Sequence, residues 1–262
     1  MVSPFMFEQY PKSRPTLPVE YAKIYKEYYL CNRGGHSPAS ALSQRMEAWM
    51  HRQVARDART VHNFGATLEI GAGTLNHLRY EPYTAPYDIV EPSSYLYQSA
   101  ASAAPLNSVR NVYKDIKCVP ESNYYSRIIS IATLEHVCEL PELIARSALH
   151  LVTGGVLRAA IPSEGNILWQ LAQDVSTGLE FRLRHGLDYR VLRRHDHVNR
   201  ADEVEEVLRY FFSSVKCRVF GVSRCLSIYQ SFTCFEPHNE RARAYLSLLP
   251  STGSSMRPRS RT

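Results

Sequence analysis

The chain has 262 residues, 44% of them apolar and 21% charged, with a formal charge of +6 at neutral pH. This suits one large soluble domain, or a domain with an appendage, and no apolar run reaches the roughly 18 residues that would span a bilayer. Six scattered cysteines without a Cys-x-x-Cys pair argue against a zinc or disulfide framework, and with no signal-like stretch in residues 1–11 they point to a reducing cytoplasm.

The first 18 residues carry four prolines and read as an extended arm. From Val19 to Leu30 the tyrosines and Ile24 recur at helical spacing, with a stop at Asn32-Arg33-Gly34-Gly35. Ser40 to Arg59 predicts a second helix, with Leu42, Met46, Trp49 and Met50 on one face. Residues 1–60 are thus expected to form an arm and a helical cap, in which Tyr25, Tyr28, Trp49 and His51 either line a lid or simply pack it.

Strand-like runs then follow at 67–70, 87–91, 110–113, 127–132 and 156–161, separated by helical or turn-rich segments such as Leu140 to Leu151, with Gly154-Gly155 as its expected stop. Such alternation predicts an α/β fold, a mostly parallel sheet with helices on both faces and ligands at the carboxyl ends of the strands. Residues 163–200 interrupt the pattern as a partly helical, substrate-side insertion. Ala201 to Phe212 predicts an amphipathic helix with acids in its first turns, and the runs 215–220 and 225–234 predict a terminal antiparallel hairpin. The main domain is expected over 61–240, leaving 241–262 as a partly disordered tail that ends in three arginines. A second basic concentration holds Arg182, Arg184, Arg190, Arg193, Arg194 and Arg200; it suits a solvated surface or an anionic substrate.

The run Thr67-Leu-Glu-Ile-Gly-Ala-Gly73 opens a strand into a turn where Gly71 and Gly73 let a ligand approach the backbone. Eighteen residues on, Glu91 closes Tyr-Asp-Ile-Val-Glu, and a carboxylate there can accept hydrogen bonds from both hydroxyls of a ribose. A dinucleotide fingerprint would need glycine at position 76, which is Asn76. Instead Glu69 stands two residues before Gly71. An acid in a buried strand is costly unless something cationic or protic meets it.

These residues resemble the class I S-adenosylmethionine-dependent methyltransferases. Their acid-x-Gly-x-Gly-x-Gly motif is matched by Glu69, Gly71 and Gly73 and broken at Leu75. The resemblance runs through five ordered segments of residues 65–163 and implies a Rossmann-like fold with a seven-stranded sheet. It implies S-adenosyl-L-methionine as cofactor, with Glu69 near the methionine amino group, Gly71 and Gly73 beneath the cofactor, and Glu91 on the ribose. Asp115 falls near the adenine, and Ala132 lies beside the cofactor in the fourth-strand motif Arg127 to Val137. The Leu134-Glu135-His136 ending is similar to the small-molecule branch, and the longer pattern to methyltransferases of bacterial polysaccharide gene clusters.

That resemblance implies an O-methyltransferase for a small hydroxylated acceptor, such as a polysaccharide sugar or its precursor. An RNA methyltransferase and a non-catalytic S-adenosylmethionine-binding protein are the alternatives. Nucleic acid is not expected, because no Asn/Asp-Pro-Pro-Tyr-type signature follows the fourth strand. His136, His195 and His197 are the catalytic candidates, and Glu164, Arg194 and Asn199 the substrate-binding ones. No metal is expected: His195 and His197 flank Asp196, but the sequence shows no third ligand nearby.

Overall fold

The computed structural model describes residues 7–25, 41–58, 65–81, 85–98, 103–174 and 178–250. Among these residues seven strands form one sheet: β1 (Thr67–Ile70), β2 (Tyr87–Val90), β3 (Asn111–Tyr113), β4 (Tyr125–Ile131), β5 (Leu151–Pro162), β6 (Phe212–Gly221) and β7 (Ser227–Pro237). Their order is β3-β2-β1-β4-β5-β7-β6. β1 to β5 are parallel, and β7 runs antiparallel to both β5 and β6. The expected mostly parallel sheet with a C-terminal hairpin is therefore present.

The helices are α1 (Ala41–Val54), α2 (Ser94–Tyr97), α3 (Ala103–Leu106), α4 (Leu140–Leu149), α5 (Ile167–Gln173), α6 (Leu179–His185), α7 (Tyr189–Asp196), α8 (Ala201–Phe211) and α9 (Asn239–Leu248). Alternation along the strands assigns them to faces. Leu68, Ile70, Val90 and Ile128 share one core with Ile144 of α4, Val204 and Leu208 of α8 and Ala242 of α9. Ile89, Ile129, Ile131 and Ala160 face the other way, onto Met50 and Val54 of α1. β1 and β2 are buried at every position, as central parallel strands covered on both faces must be.

Three features depart from the sequence pattern. β5 begins at Leu151, five residues before the expected run. Gly154-Gly155, expected to stop α4, lie inside the strand at a register irregularity beside Tyr125 and Arg127 of β4. The tail also starts as a helix, with Ala242 of α9 fully buried against the α4–α8 core. Residues 251–262 lie outside the described residues, as does Tyr28.

The arm is bound rather than loose. Phe7 packs edge-on to Tyr210, Lys12 pairs with Glu203 of α8 at 2.6 Å, and Arg14 donates to the backbone oxygens of Asp196 and His136. Residues 19–25 are helical, and Tyr21 joins Phe181 and Leu192 of the insertion in a separate small core. Among the described residues no helix is long and apolar enough to cross a membrane.

Candidate active site

The turn after β1 is shaped by three left-handed residues, Gly71 (φ 73°), Gly73 (φ 53°) and Leu75 (φ 63°). At Gly71 a Cβ would collide with the side chain of Thr133, so glycine is required by contact as well as by φ. Leu75 occupies the backbone state that the missing third glycine would have adopted without strain. Its side chain is buried with Met50, Val54 and Leu78, and this burial offsets a left-handed cost of about 1–2 kcal/mol.

Two cavities open at the carboxyl edge and meet at Gly71 and Thr133. One, of about 330 Å³, is lined by Glu69, Gly73, Ala132, His51 and Glu47. The other, of about 280 Å³, is lined by Glu91, Asp115, Lys114, Ile116 and His136. The residues expected at the amino-acid end of the cofactor thus line the first, and those expected at its nucleoside end line the second. Gly71 is shared.

Glu69 is buried and accepts a hydrogen bond from the Tyr87 hydroxyl at 2.7 Å. Burial is the main reason its pKa is pushed up to about 8, against the pull of the Tyr87 bond. Glu91 is also buried; Oε2 accepts from the Gly73 amide and Oε1 from the Ser93 amide, both at 2.9 Å. Each oxygen has a second lone pair, so the carboxylate can still take two ribose hydroxyls. Asp115 is exposed and caps the short helical turn after β3 through the Lys117 amide. Ala132 directly follows β4 at φ 48°. This set suits an adenosyl amino acid: a tight glycine floor, a carboxylate for a diol and a buried acid for a cation.

The acceptor candidates gather around α7 and the segment after β4. His197 Nδ1 donates to Glu164 Oε2 at 2.9 Å, and Glu164 also takes the Trp169 indole N–H at 2.6 Å. Burial lowers the His197 pKa, but the Glu164 hydrogen bond and the charges of Glu135, Glu164 and Asp196 outweigh it and hold the group above its ordinary value. The His136 ring stands edge-on to His197 at 4.8 Å, and its Nδ1 donates to the Asp196 backbone oxygen.

Side-chain ligand atoms of His136, Asp196 and His197 come within 4.8 Å of one another, so His136 is the third partner that sequence spacing does not disclose. Asp196 Oδ1, however, already takes the Tyr25 hydroxyl at 3.0 Å and lies 3.4 Å from the Arg14 guanidinium. A second cation beside Arg14 would be repelled, so this donor set suits an ion-paired cluster better than a metal.

Other candidates lie elsewhere. His195 bonds the backbone oxygen of Pro15 and stands edge-on to Tyr25, on the arm side of α7. Arg194 is exposed, while Arg193 is buried 3.5 Å from Glu164. Asn199, expected to meet substrate, is buried and spends its amide N–H groups on the oxygens of Leu134 and Val137, fixing the loop after β4. Trp49 packs edge-on to Phe220. Of the basic cluster, Arg190 and Arg200 are paired with Asp188 and Asp202.

Sequence reasoning missed a buried string beneath the first cavity. Arg127 pairs with Glu81, Glu81 with His77, and His77 with His51, at 2.6, 2.8 and 2.9 Å. Its signals were an arginine inside the apolar fourth strand and the i,i+4 pair His77 and Glu81.

No protein-family model and no curated protein sequence matches the chain. Solved structures do match it. The plantazolicin methyltransferase BpumL aligns with a TM-score of 0.54 at 14% identity, covering 82% of this chain and 90% of its own. The N-methyltransferase NodS from Bradyrhizobium japonicum WM9, in complex with S-adenosyl-L-homocysteine, aligns at 0.53 and 14% identity, covering 79% and 98%. The CurJ carbon methyltransferase aligns at 0.52 and 22% identity over 78% of this chain. The chain spans little more than half of that protein, 57%. At these identities the likeness concerns architecture, and the chain has the fold that these methyltransferases share.

Proposed function

We propose that the protein is an S-adenosylmethionine-dependent methyltransferase acting on a small hydroxylated acceptor, a polysaccharide sugar or sugar precursor. The observation that supports the cofactor half of this reading is the pair of cavities meeting at Gly71 and Thr133, one lined by Glu69 and the other by Glu91 and Asp115, while the acceptor half rests on the resemblance carried by Leu134-Glu135-His136 and the longer pattern. When bound, the cofactor supplies a methyl group activated on a sulfonium. The chain holds both ends of the cofactor, aligns the acceptor and excludes water; such alignment is worth about 7–11 kcal/mol of barrier.

For the acceptor's proton the reading favours His197. Its Nδ1–H is committed to Glu164, so the neutral ring offers Nε2 as the basic atom. His136 stands beside it and also lines the nucleoside cavity. A base of this kind contributes a factor of about 10²–10⁴.

The test has two stages. Calorimetry should show that S-adenosylmethionine and S-adenosylhomocysteine bind; no binding overturns the cofactor assignment. A labelled-methyl screen over nucleotide sugars, glycans, small phenols and tRNA then identifies the acceptor class. Labelling of tRNA alone would replace the sugar reading with an RNA one.

A further inference from the structure

β7 brings one more polar group to the carboxyl edge of the sheet. Alternation along this strand sends Phe232 and Cys234 into the α4–α8 core and Tyr229 to the opposite face, against the core that packs on α1. There Tyr229 stands opposite Pro162, the last residue of β5, and joins Ala132 and Thr133 in lining the first cavity. Thr133 also belongs to the junction with the second cavity. The Tyr229 ring packs edge-on to Trp169 at 5.7 Å. Trp169 is buried and donates its indole N–H to Glu164, which in turn holds His197. One tryptophan therefore fixes both Tyr229 and the proposed base.

The half-buried Tyr229 has a hydroxyl that makes no hydrogen bond among the described residues. Burial, and then the charges of Glu47 and Glu135, push its pKa up to about 12. The hydroxyl is thus a donor at neutral pH and not a base. Glu47 lines the first cavity and Glu135 precedes His136, so the group that feels both lies between that cavity and the histidines.

Such a donor discriminates between acceptors. A hydroxyl oxygen has two lone pairs and a hydrogen of its own. One pair can accept from Tyr229 while the other forms the bond to the methyl carbon. As that bond forms, the methyl–sulfur bond breaks with its pair left on sulfur, and the acceptor's proton passes to His197 Nε2. A neutral amine has a single lone pair, and a donor bonded to it blocks attack.

We propose that Tyr229 binds the acceptor and selects oxygen over nitrogen, donating its hydroxyl hydrogen to the acceptor oxygen while Trp169 holds the ring. The fold does not make this choice, since a nitrogen and a carbon methyltransferase share it. The proposal rests on the methyltransferase reading above and deepens it.

The experiment uses the full chain in a labelled-methyl assay with UDP-glucose, UDP-galactose and GDP-mannose. Each is set beside a counterpart that carries an amine in place of the labelled hydroxyl. Wild type should show a kcat/KM at least tenfold higher for the hydroxyl sugar than for its amine. Tyr229→Phe should lower the hydroxyl value by about tenfold or more and leave the amine value within about twofold, so the preference falls by the same factor. Calorimetry should find the affinity of the variant for S-adenosylhomocysteine within about twofold of wild type, which reports an intact fold. With that ligand bound, the variant should hold the hydroxyl sugar more weakly. An unchanged preference, or an equal loss for both acceptors, overturns the role of Tyr229 and leaves the methyltransferase reading standing. If wild type binds S-adenosylhomocysteine but labels only amines, or none of these sugars, the oxygen selection is overturned and the cofactor assignment survives. If it does not bind that ligand, the cofactor assignment fails and the proposal with it.

Discussion

Glu91 reaches from the end of β2 to the turn after β1 and accepts the Gly73 amide at 2.9 Å. The same carboxylate takes the Ser93 amide through its other oxygen, so one buried side chain joins two strand ends. Such a group is oriented before any ligand arrives, and little ordering remains to be done on binding. Glu91→Ala should therefore weaken S-adenosylhomocysteine binding by tenfold or more and also loosen the turn, costing about 1–3 kcal/mol of stability. Calorimetry and chemical denaturation measure the two effects separately. Unchanged affinity would remove Glu91 from the ribose site.

Leu75 inverts the usual order of core substitutions. Leu75→Ala keeps the left-handed strain and loses burial, at about 2–5 kcal/mol. Leu75→Gly loses the same burial but relieves about 1–2 kcal/mol of strain, which offsets the extra chain entropy of glycine. Denaturation should find the glycine variant no less stable than the alanine one. A clearly less stable glycine variant would mean that residue 75 does not adopt a positive φ in solution.

The fold was legible because its signals are local. Apolar runs set β1 and β2 to within a residue, and the acids of Asp202 and Glu203 marked the start of α8. The residues expected on the cofactor side also fall together, since Glu69, Gly71, Gly73 and Glu91 stand at fixed places on consecutive elements and line the two joined cavities. The acceptor side was not legible. His136 and His197 lie 61 positions apart and meet only through packing, while Asn199 and Arg193 look free in the sequence and are consumed by long-range bonds. The string from Arg127 to His51 joins three segments, and no single window contains it.

Glu69 predicts a trade between stability and binding. Its folded pKa of about 8 lies above the ordinary 4.5, so the fold favours the neutral acid. Its contribution is fully present below pH 4.5, is lost as pH rises through 8, and has an upper bound of about 5 kcal/mol. Glu69→Gln keeps an acceptor for the Tyr87 hydroxyl and removes the ionisation. The variant should flatten stability against pH between 4.5 and 8, standing above wild type at pH 8, yet bind S-adenosylhomocysteine more weakly. Denaturation at several pH values and calorimetry check both halves; a parallel pH dependence in the two proteins would contradict the raised pKa.

The pair His197 and Glu164 gives the last prediction, and its pH dependence has the same sign as that of Glu69, reached by a different route. His197 is held above its ordinary pKa, so its contribution to stability is full below pH 6.5 and is lost as pH rises through the folded value. What outweighs burial is chiefly the bond to Glu164, whose own carboxyl is held low against burial first by His197 and then by Trp169 and Arg193. Glu164→Gln removes the charge but retains an acceptor for His197 Nδ1–H, so the ring keeps its pose while its pKa falls. Nuclear magnetic resonance titration of His197 reads this shift directly. If His197 is the base, the acid limb of the turnover profile should move to lower pH by the same amount in the variant. A shifted titration without a shifted limb would leave the Glu164 contact intact and assign proton removal to another group.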